Sequence, residues 1–283
     1  LQDIYYRRGE YDKVLDYYRK IAEEFPTSEI FDDASYLAGQ VYFKRGEFVD
    51  AIDYYKEISP QSNVYRFAQY SLALCFLNIG DSDEAIKCFK NILATPPTNK
   101  LDEMIVNRTY VVLGHLYFEL YDYDNAIAQY KQVPSSSPFY DDALIGYGWS
   151  LVNQKKYKEA ISVLDRLITE APKSIYVIEA HLVKGYSYTL IKEYDKAIKI
   201  FSKLVEQNPD VDKYKFYLAS VYEKKGDLPS AEKHFQNIDP KSAMWADSQM
   251  HLAGLWCRPA MKVREASVRT IKHRPHRLRQ HDA

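Results

Sequence analysis

The sequence has few of the residues and motifs by which enzymes and metal proteins are recognised. Only three of its 283 residues are cysteines, and the spacing of Cys75 and Cys88 matches no zinc motif. We expect both to be small core residues without a redox role. The patterns GxGxxG, GxxxxGK[ST], GxSxG and HExxH are all missing, and the histidines before residue 257 are scattered. The sequence therefore predicts no catalytic site, no cofactor and no metal site.

Charge of one sign and long apolar runs are also missing. The formal net charge is −1, which favours neither nucleic acid nor an acidic ligand as the partner of the whole chain. No run of 18 apolar residues occurs, so the sequence predicts no transmembrane segment. Tyrosine, in contrast, is abundant at 26 residues.

One pattern copied along the chain explains these tyrosines. The stretch 39–60 places Tyr42, Gly46, Ala51 and Tyr55 at fixed distances after Gly39. Related patterns begin at Ala73, Gly114, Gly148, Gly185 and Ala219. Spacings of 34 to 41 residues between the equivalent alanines are typical of helical solenoids.

Each copy predicts two antiparallel helices. Apolar residues three and four apart indicate amphipathic helices, and prolines punctuate the helix ends. Gly46 is expected to take a positive φ at the turn, although Tyr121, Lys155 and Lys192 replace that glycine in other copies. A linker, Ala94–Lys100, is expected to account for the longest spacing, and the helix after it is expected over Asn107–Glu119. The acidic pairs Asp32–Asp33 and Asp141–Asp142 are expected to cap helices.

The repeated pattern resembles the tetratricopeptide repeat. It consists of a small residue, a tyrosine three residues later, a glycine at the turn, an alanine, an aromatic residue and a closing proline. The likeness covers residues 1–256 and implies an all-α fold, an α-α superhelical solenoid of about seven and a half helical hairpins. It also implies a non-enzymatic protein that binds other proteins. Val14 departs from the pattern, since it replaces the alanine of the first copy.

The two ends of the repeat region are expected to be incomplete. The chain begins with Leu1 partway through a first helix, so we expect residues to precede it. The segment 257–283 has no repeat signature and holds eight Lys or Arg against two Asp or Glu. A basic tail of this kind can bind nucleic acid or an anionic surface, but a disordered tail is the preferred interpretation.

In the tetratricopeptide repeat family the first helices of successive hairpins line a concave surface. The register places largely apolar and aromatic residues on this surface, and we predict that they bind a peptide or helix of a partner protein. The aromatic anchors of that binding site are expected to be Tyr36, Tyr70, Trp149 and Tyr186. The competing interpretation is that these residues pack against adjacent repeats. The basic residues with which chaperone-binding members hold a terminal carboxylate are missing. The predicted binding residues are Tyr36, Gln40, Phe43, Tyr70, Leu74, His115, Phe118, Trp149, Tyr186 and Phe216.

Three roles remain open from the sequence. The first is a scaffold in a bacterial envelope complex, because the segments 25–48 and 171–198 resemble envelope members such as BamD and the Tol–Pal coordinator protein. Such a role implies a periplasmic or outer-membrane location. The second is a cytoplasmic adaptor or regulator, and the third is the recruiting arm of a larger enzyme with its catalytic domain elsewhere. Self-association through uncovered end repeats is a further expectation.

Overall fold

The computed structural model describes residues 1–255, and the prediction made for the tail, 257–283, lies outside them. The chain divides into two compact units, Leu1–Gln154 and Lys155–Ala283. Within the described residues the secondary structure is helical throughout, without a β-strand. The predicted all-α repeat fold is therefore confirmed.

The first unit holds nine helices. They are α1 (Gln2–Arg8), α2 (Tyr11–Glu24), α3 (Glu29–Arg45), α4 (Phe48–Lys56), α5 (Tyr65–Asn78), α6 (Ser82–Leu93), α7 (Lys100–Glu119), α8 (Tyr123–Tyr130) and α9 (Tyr140–Asn153). The described part of the second unit holds α10 (Tyr157–Glu170), α11 (Val177–Leu190), α12 (Tyr194–Gln207), α13 (Asp212–Lys225) and α14 (Leu228–Gln236), followed by a helical run over 245–255.

The turns inside the hairpins have the backbone geometry that the sequence predicts. Gly46 ends α3 with a φ of 77°, in the left-handed region that glycine enters without a steric penalty. The three residues that replace glycine adopt the same conformation: φ is 60° at Tyr121, 61° at Lys155 and 64° at Lys192. The turn is therefore kept where the glycine is not, at the cost of placing an L-residue in an unfavourable region.

The two helices of a hairpin meet where a small residue faces an aromatic ring. An ideal Cβ added to Gly114 on α7 would lie 2.6 Å from a ring atom of Tyr130 at the end of α8. The same ring lies 2.4 Å from the position of a Cβ on Gly146 of α9. Tyr130 is thus enclosed between two glycines on neighbouring first helices. The repeat alanines that follow the turn, such as Ala51 and Ala197, have no exposed surface.

The predicted linker Ala94–Lys100 is too long and the predicted helix Asn107–Glu119 is too short. Helix α7 begins at Lys100, so most of the extra residues in this copy add two turns to a helix. The side chain of Asn99 caps this helix by accepting hydrogen bonds from the backbone N–H groups of Leu101 and Asp102. The linker itself ends at Asn99.

The role predicted for Asp32 is also corrected. Helix α3 begins at Glu29, so Asp32 lies inside the first turn instead of capping it. Its buried carboxylate accepts a hydrogen bond from the backbone N–H of Ser59, 3.1 Å away and beyond the end of α4. In the other pair, Asp141 and Asp142 lie in the first turn of α9, where they complement the helix dipole, but neither is its N-cap.

The two cysteines within the described residues are buried and free. Burial raises the pKa of the Cys75 thiol to about 12 and that of Cys88 to about 11. Neither thiol is therefore a reactive thiolate at neutral pH, in agreement with their prediction as core residues.

Candidate functional site

In the first unit the first helices of consecutive hairpins lie side by side. Helix α3 packs against α5, α5 against α7, and α7 against α9. Eight of the ten predicted binding residues lie on these four helices, and we refer to them together as the first-helix face. Its members are Tyr36, Gln40, Phe43, Tyr70, Leu74, His115, Phe118 and Trp149.

At the α3 end, the first-helix face includes a hydrogen bond between repeats. The amide Nε2 of Gln40 donates to the hydroxyl of Ser71 on α5 over 2.8 Å. Tyr36 is half-buried with its ring 6.0 Å from that of Tyr55, and burial raises its pKa. The hydrogen bond of Gln40 therefore joins α3 to α5, and the ring contact of Tyr36 joins α3 to α4.

Tyr70, in the middle of the face, belongs to the core. It is only 7% exposed, and its ring packs edge-on against Phe89 at 5.7 Å. The guanidinium of Arg108 lies 5.3 Å from the ring centroid, on the neighbouring helix α7. Burial raises the pKa of Tyr70, against an opposing effect of Arg108. Tyr70 is therefore placed to hold α5 and α7 together, and Leu74, one turn further along α5, is half-buried.

His115 joins α7 to α9. Its Nε2 lies 3.3 Å from Oδ1 of Asp142, and its ring lies 5.5 Å from that of Tyr130. The side chain nevertheless keeps 46% of its surface exposed. Phe118 is half-buried and meets Tyr123 edge-on at 5.4 Å, across the turn of its own hairpin.

The accessible part of the first-helix face is thus a subset of the predicted residues. Phe43, Leu74, Phe118 and Trp149 are half-buried, each with part of an apolar side chain at the surface, and His115 is exposed. Sequence reasoning missed the partners Ser71, Arg108 and Asp142, because each is one helix away and no local pattern identifies it. Within residues 1–255 no group of three or more His, Cys, Asp or Glu could hold a metal ion.

The remaining two predicted residues lie in the second unit. Tyr186 on α11 is 44% exposed and open to solvent. Phe216 on α13 is half-buried and packs edge-on against Phe235 and His251, both at 5.6 Å. Phe216 therefore joins consecutive repeats, whereas Tyr186 is available for contact.

The chain belongs to the tetratricopeptide repeat family. One model of this family matches residues 3–63 and 180–243, and a second matches 67–97. A further model, described as subunit 3 of the anaphase-promoting complex or cyclosome, matches residues 119–204. Tetratricopeptide repeats are generally non-catalytic scaffolds, and their fold is consistent with protein–protein interaction.

Two relatives were found by sequence. Protein bimA of Emericella nidulans is 29% identical over 173 residues, which cover 57% of this chain and 19% of the relative. A TPR repeat-containing protein of Methanocaldococcus jannaschii is 25% identical over 249 residues, covering 83% of this chain and 42% of the relative. This chain thus spans less than half the length of either relative.

Solved structures show the same fold. The C-terminal part of a TPR repeat-containing protein from Cytophaga hutchinsonii superposes with a TM-score of 0.66 at 13% identity, covering 87% of this chain and 97% of that one. The pilF protein of Pseudomonas aeruginosa gives a TM-score of 0.53 at 18% identity, covering 78% and 97%. Among the described residues, no helix is both long enough and apolar enough to cross a bilayer.

Proposed function

We propose that this protein is a non-enzymatic scaffold whose first-helix face binds an apolar segment of a partner protein. The observation that carries the proposal is the row of partly open apolar side chains on four adjacent helices, from Phe43 through Leu74 and Phe118 to Trp149. A row of this kind, held on rigid elements, suits an amphipathic helix or an extended apolar segment. Its aromatic members would supply most of the binding free energy.

The polar groups of the same face argue for apolar recognition. Gln40 is already bonded to Ser71, and His115 lies beside Asp142. Groups that are paired within the protein offer little to a partner's charges, since a new contact must replace an existing one. The partner segment is therefore expected to contribute leucine, isoleucine or aromatic side chains rather than a terminal carboxylate.

The wider role has several candidates. Membership of a multisubunit assembly is supported by the match of residues 119–204 to a family described as an anaphase-promoting complex subunit. The envelope scaffold rests on the sequence resemblance alone. A cytoplasmic adaptor, or the recruiting arm of a larger enzyme, would use the same surface. Both roles agree with the finding that this chain covers only 19% and 42% of its two relatives.

Site-specific photocrosslinking tests the surface directly. A photoreactive phenylalanine analogue replaces Phe118 on the first-helix face, and in a second protein it replaces Val49, which is 65% exposed on the second helix α4. Both proteins are irradiated in the same lysate. We expect a discrete crosslinked product at position 118 that the additional change Trp149→Glu removes, because a charge next to an apolar partner is costly to desolvate.

Equal products at positions 118 and 49, or a product at 118 that Trp149→Glu leaves unchanged, would contradict binding at this face. Circular dichroism of each variant verifies that the helices remain. Trp149 is partly exposed, so the glutamate can reach solvent in the free protein.

A further inference from the structure

The second unit carries a groove that the proposed function does not use. It lies between α11 and α12 and has a volume of about 310 Å³. We call it the lysine groove, and it is defined by His181, Lys184, Tyr188, Lys196, Lys199 and Lys203. At ~100° per residue, the α11 residues of this groove point roughly 160° away from Tyr186 on the same helix. Within the second unit, the lysine groove is therefore a separate surface from Tyr186.

The basic groups form two rows on antiparallel helices. Lys196, Lys199 and Lys203 follow each other at intervals of three and four residues along α12, and all three are exposed. This row is about 10 Å long at 1.5 Å per residue. Opposite it, His181 and Lys184 lie one turn apart on α11. The lining of the groove includes no aspartate or glutamate.

Two of these lysines are already paired, and two are not. Lys184 forms an ion pair with Asp165 of α10, and Lys196 with Glu193 at the start of α12. Within residues 1–255, neither Lys199 nor Lys203 has a carboxylate at ion-pairing distance. Their side chains therefore present two free positive charges at one edge of the groove, next to an apolar floor that includes Ile200 and Leu204.

We propose that the lysine groove binds an acidic peptide segment of a protein partner, whose carboxylates pair with Lys199 and Lys203. An apolar side chain of the same segment rests on the floor formed by Ile200 and Leu204. Recognition of acidic segments by clustered basic side chains is a common mode of peptide binding. The apolar floor distinguishes such a segment from a small inorganic anion, which has no surface to place there.

The charge of the rest of the protein favours a peptide over nucleic acid. The whole chain has a formal net charge of −1, so it has no overall positive charge with which to attract a polyanion. A row about 10 Å long suits a few side chains of a peptide and is short for a helical nucleic acid.

The surroundings of His181 give the proposal a second readout. Burial lowers the pKa of His181, and the nearby charges of Lys184 on its own helix and Lys203 on α12 lower it further, against an opposing effect of Asp165 on α10. Bound carboxylates would raise that pKa, so binding would take up a proton. Affinity is then expected to increase as the pH falls from about 8 to about 6, where the peptide carboxylates remain ionised.

Fluorescence polarisation with the full chain tests the site. The probe is a labelled peptide with several glutamates around one leucine, and its matched control has glutamine in place of each glutamate. We expect the glutamate peptide alone to bind, and the double change Lys199→Glu with Lys203→Glu to weaken it at least about tenfold. The matched control variant is Lys158→Glu with Lys173→Glu, which alters the net charge equally at exposed lysines outside the groove.

Three results would overturn the proposal: no binding of the glutamate peptide, equal weakening in both double variants, or tighter binding of a single-stranded oligonucleotide than of the peptide. His181→Gln is expected to keep most of the affinity and to remove its pH dependence. A pH dependence unchanged in that variant would contradict the placement of the peptide carboxylates beside His181.

Discussion

At the residue scale, Gly114 shows how tightly the two helices of a hairpin fit. Replacing it with alanine places a Cβ 2.6 Å from the buried ring of Tyr130, which Gly146 confines on the other side. Overpacking of this kind costs about 1–3 kcal/mol, and the better helix propensity of alanine returns up to about 1 kcal/mol. We expect Gly114→Ala to lower the free energy of unfolding measured in urea.

The same substitution at Gly254 is the control, because a Cβ there would meet no atom within 4 Å. That helical, exposed glycine gains helix propensity without strain, so Gly254→Ala is expected to be neutral or stabilising. If both variants change stability in the same direction, the close contact with Tyr130 is not what requires glycine at position 114.

Lys192 offers the opposite test, since it occupies a turn position suited to glycine. Its φ of 64° is unfavourable for an L-residue, and its exposed side chain makes no ion pair within the described residues. Lys192→Gly is expected to stabilise the protein by about 0.5–1 kcal/mol, because the relief of backbone strain exceeds the entropy that glycine loses on folding.

The reciprocal change is Gly226→Lys, at a turn with a φ of 93° and no atom within 4 Å of the added Cβ. We expect this variant to be destabilised in thermal unfolding while Lys192→Gly unfolds at a higher temperature. A lower unfolding temperature for Lys192→Gly would show that the turn does not strain a lysine.

At the scale of elements, an aspartate in the first turn of a first helix forms a hydrogen bond with the backbone just beyond the second helix of the same hairpin. Asp32 accepts from the backbone of Ser59, and Asp212 accepts from the backbone N–H of Asp239 over 3.1 Å. Asp212 also binds Lys215 Nζ at 2.8 Å. Burial alone would raise the pKa of Asp212, but the bonds from Lys215 and Asp239 and the lysine charge outweigh it and lower the pKa.

This lowered pKa fixes the direction of a pH effect. The stabilisation from Asp212 is fully present above the ordinary aspartate pKa of about 3.9 and is lost as the pH falls through the lower value of the folded protein. Asp212→Asn is expected to cost about 1–2 kcal/mol at pH 7. In urea unfolding series at decreasing pH, the difference from the parent should shrink below about pH 4.

Asp210→Asn is the matched control, since Asp210 is exposed and two residues away. Two results would show that the ionised carboxylate of Asp212 does not stabilise the end of the hairpin. In one, the loss of unfolding free energy in Asp212→Asn stays unchanged at acid pH; in the other, Asp210→Asn shows the same loss.

The elements could be predicted largely because each helical hairpin is a local structure. The helix periodicity, the turn at Gly46 and the helix ends near prolines depend on residues close in sequence, and the structure confirms them. The start of α7 could not be predicted from the repeat pattern, because the extra residues of this copy extend a helix capped by Asn99. Asp32 was misjudged because its partner, Ser59, lies 27 residues away.

At the scale of the whole molecule, the sequence predicts which side chains share a face but not which remain accessible. Tyr36 and Tyr70 have the same register, yet Tyr70 is buried and Tyr36 is half-buried. The lysine groove was missed for a related reason. Lys184 and Lys199 each belong to a helix whose charges are those of an ordinary solvent-facing surface, and only the packing of α11 against α12 brings them to one cavity.

Repeat architecture also predicts how far a local defect spreads. In arrays of this family, stability is approximately a sum of the stabilities of single repeats and of their contacts with immediate neighbours. Gly39 and Gly185 are equivalent positions in the two units, and a Cβ on either would lie 2.6 Å from an aromatic ring, that of Tyr55 or Phe201. Gly39→Ala should therefore speed amide hydrogen exchange in α3, α4 and α5, and Gly185→Ala in α11, α12 and α13.

Each variant is the control for the other, with the same chemical change in a different unit. If either substitution raised exchange evenly through residues 1–255, the protein would unfold as one cooperative body, and binding at one surface would then stabilise the other.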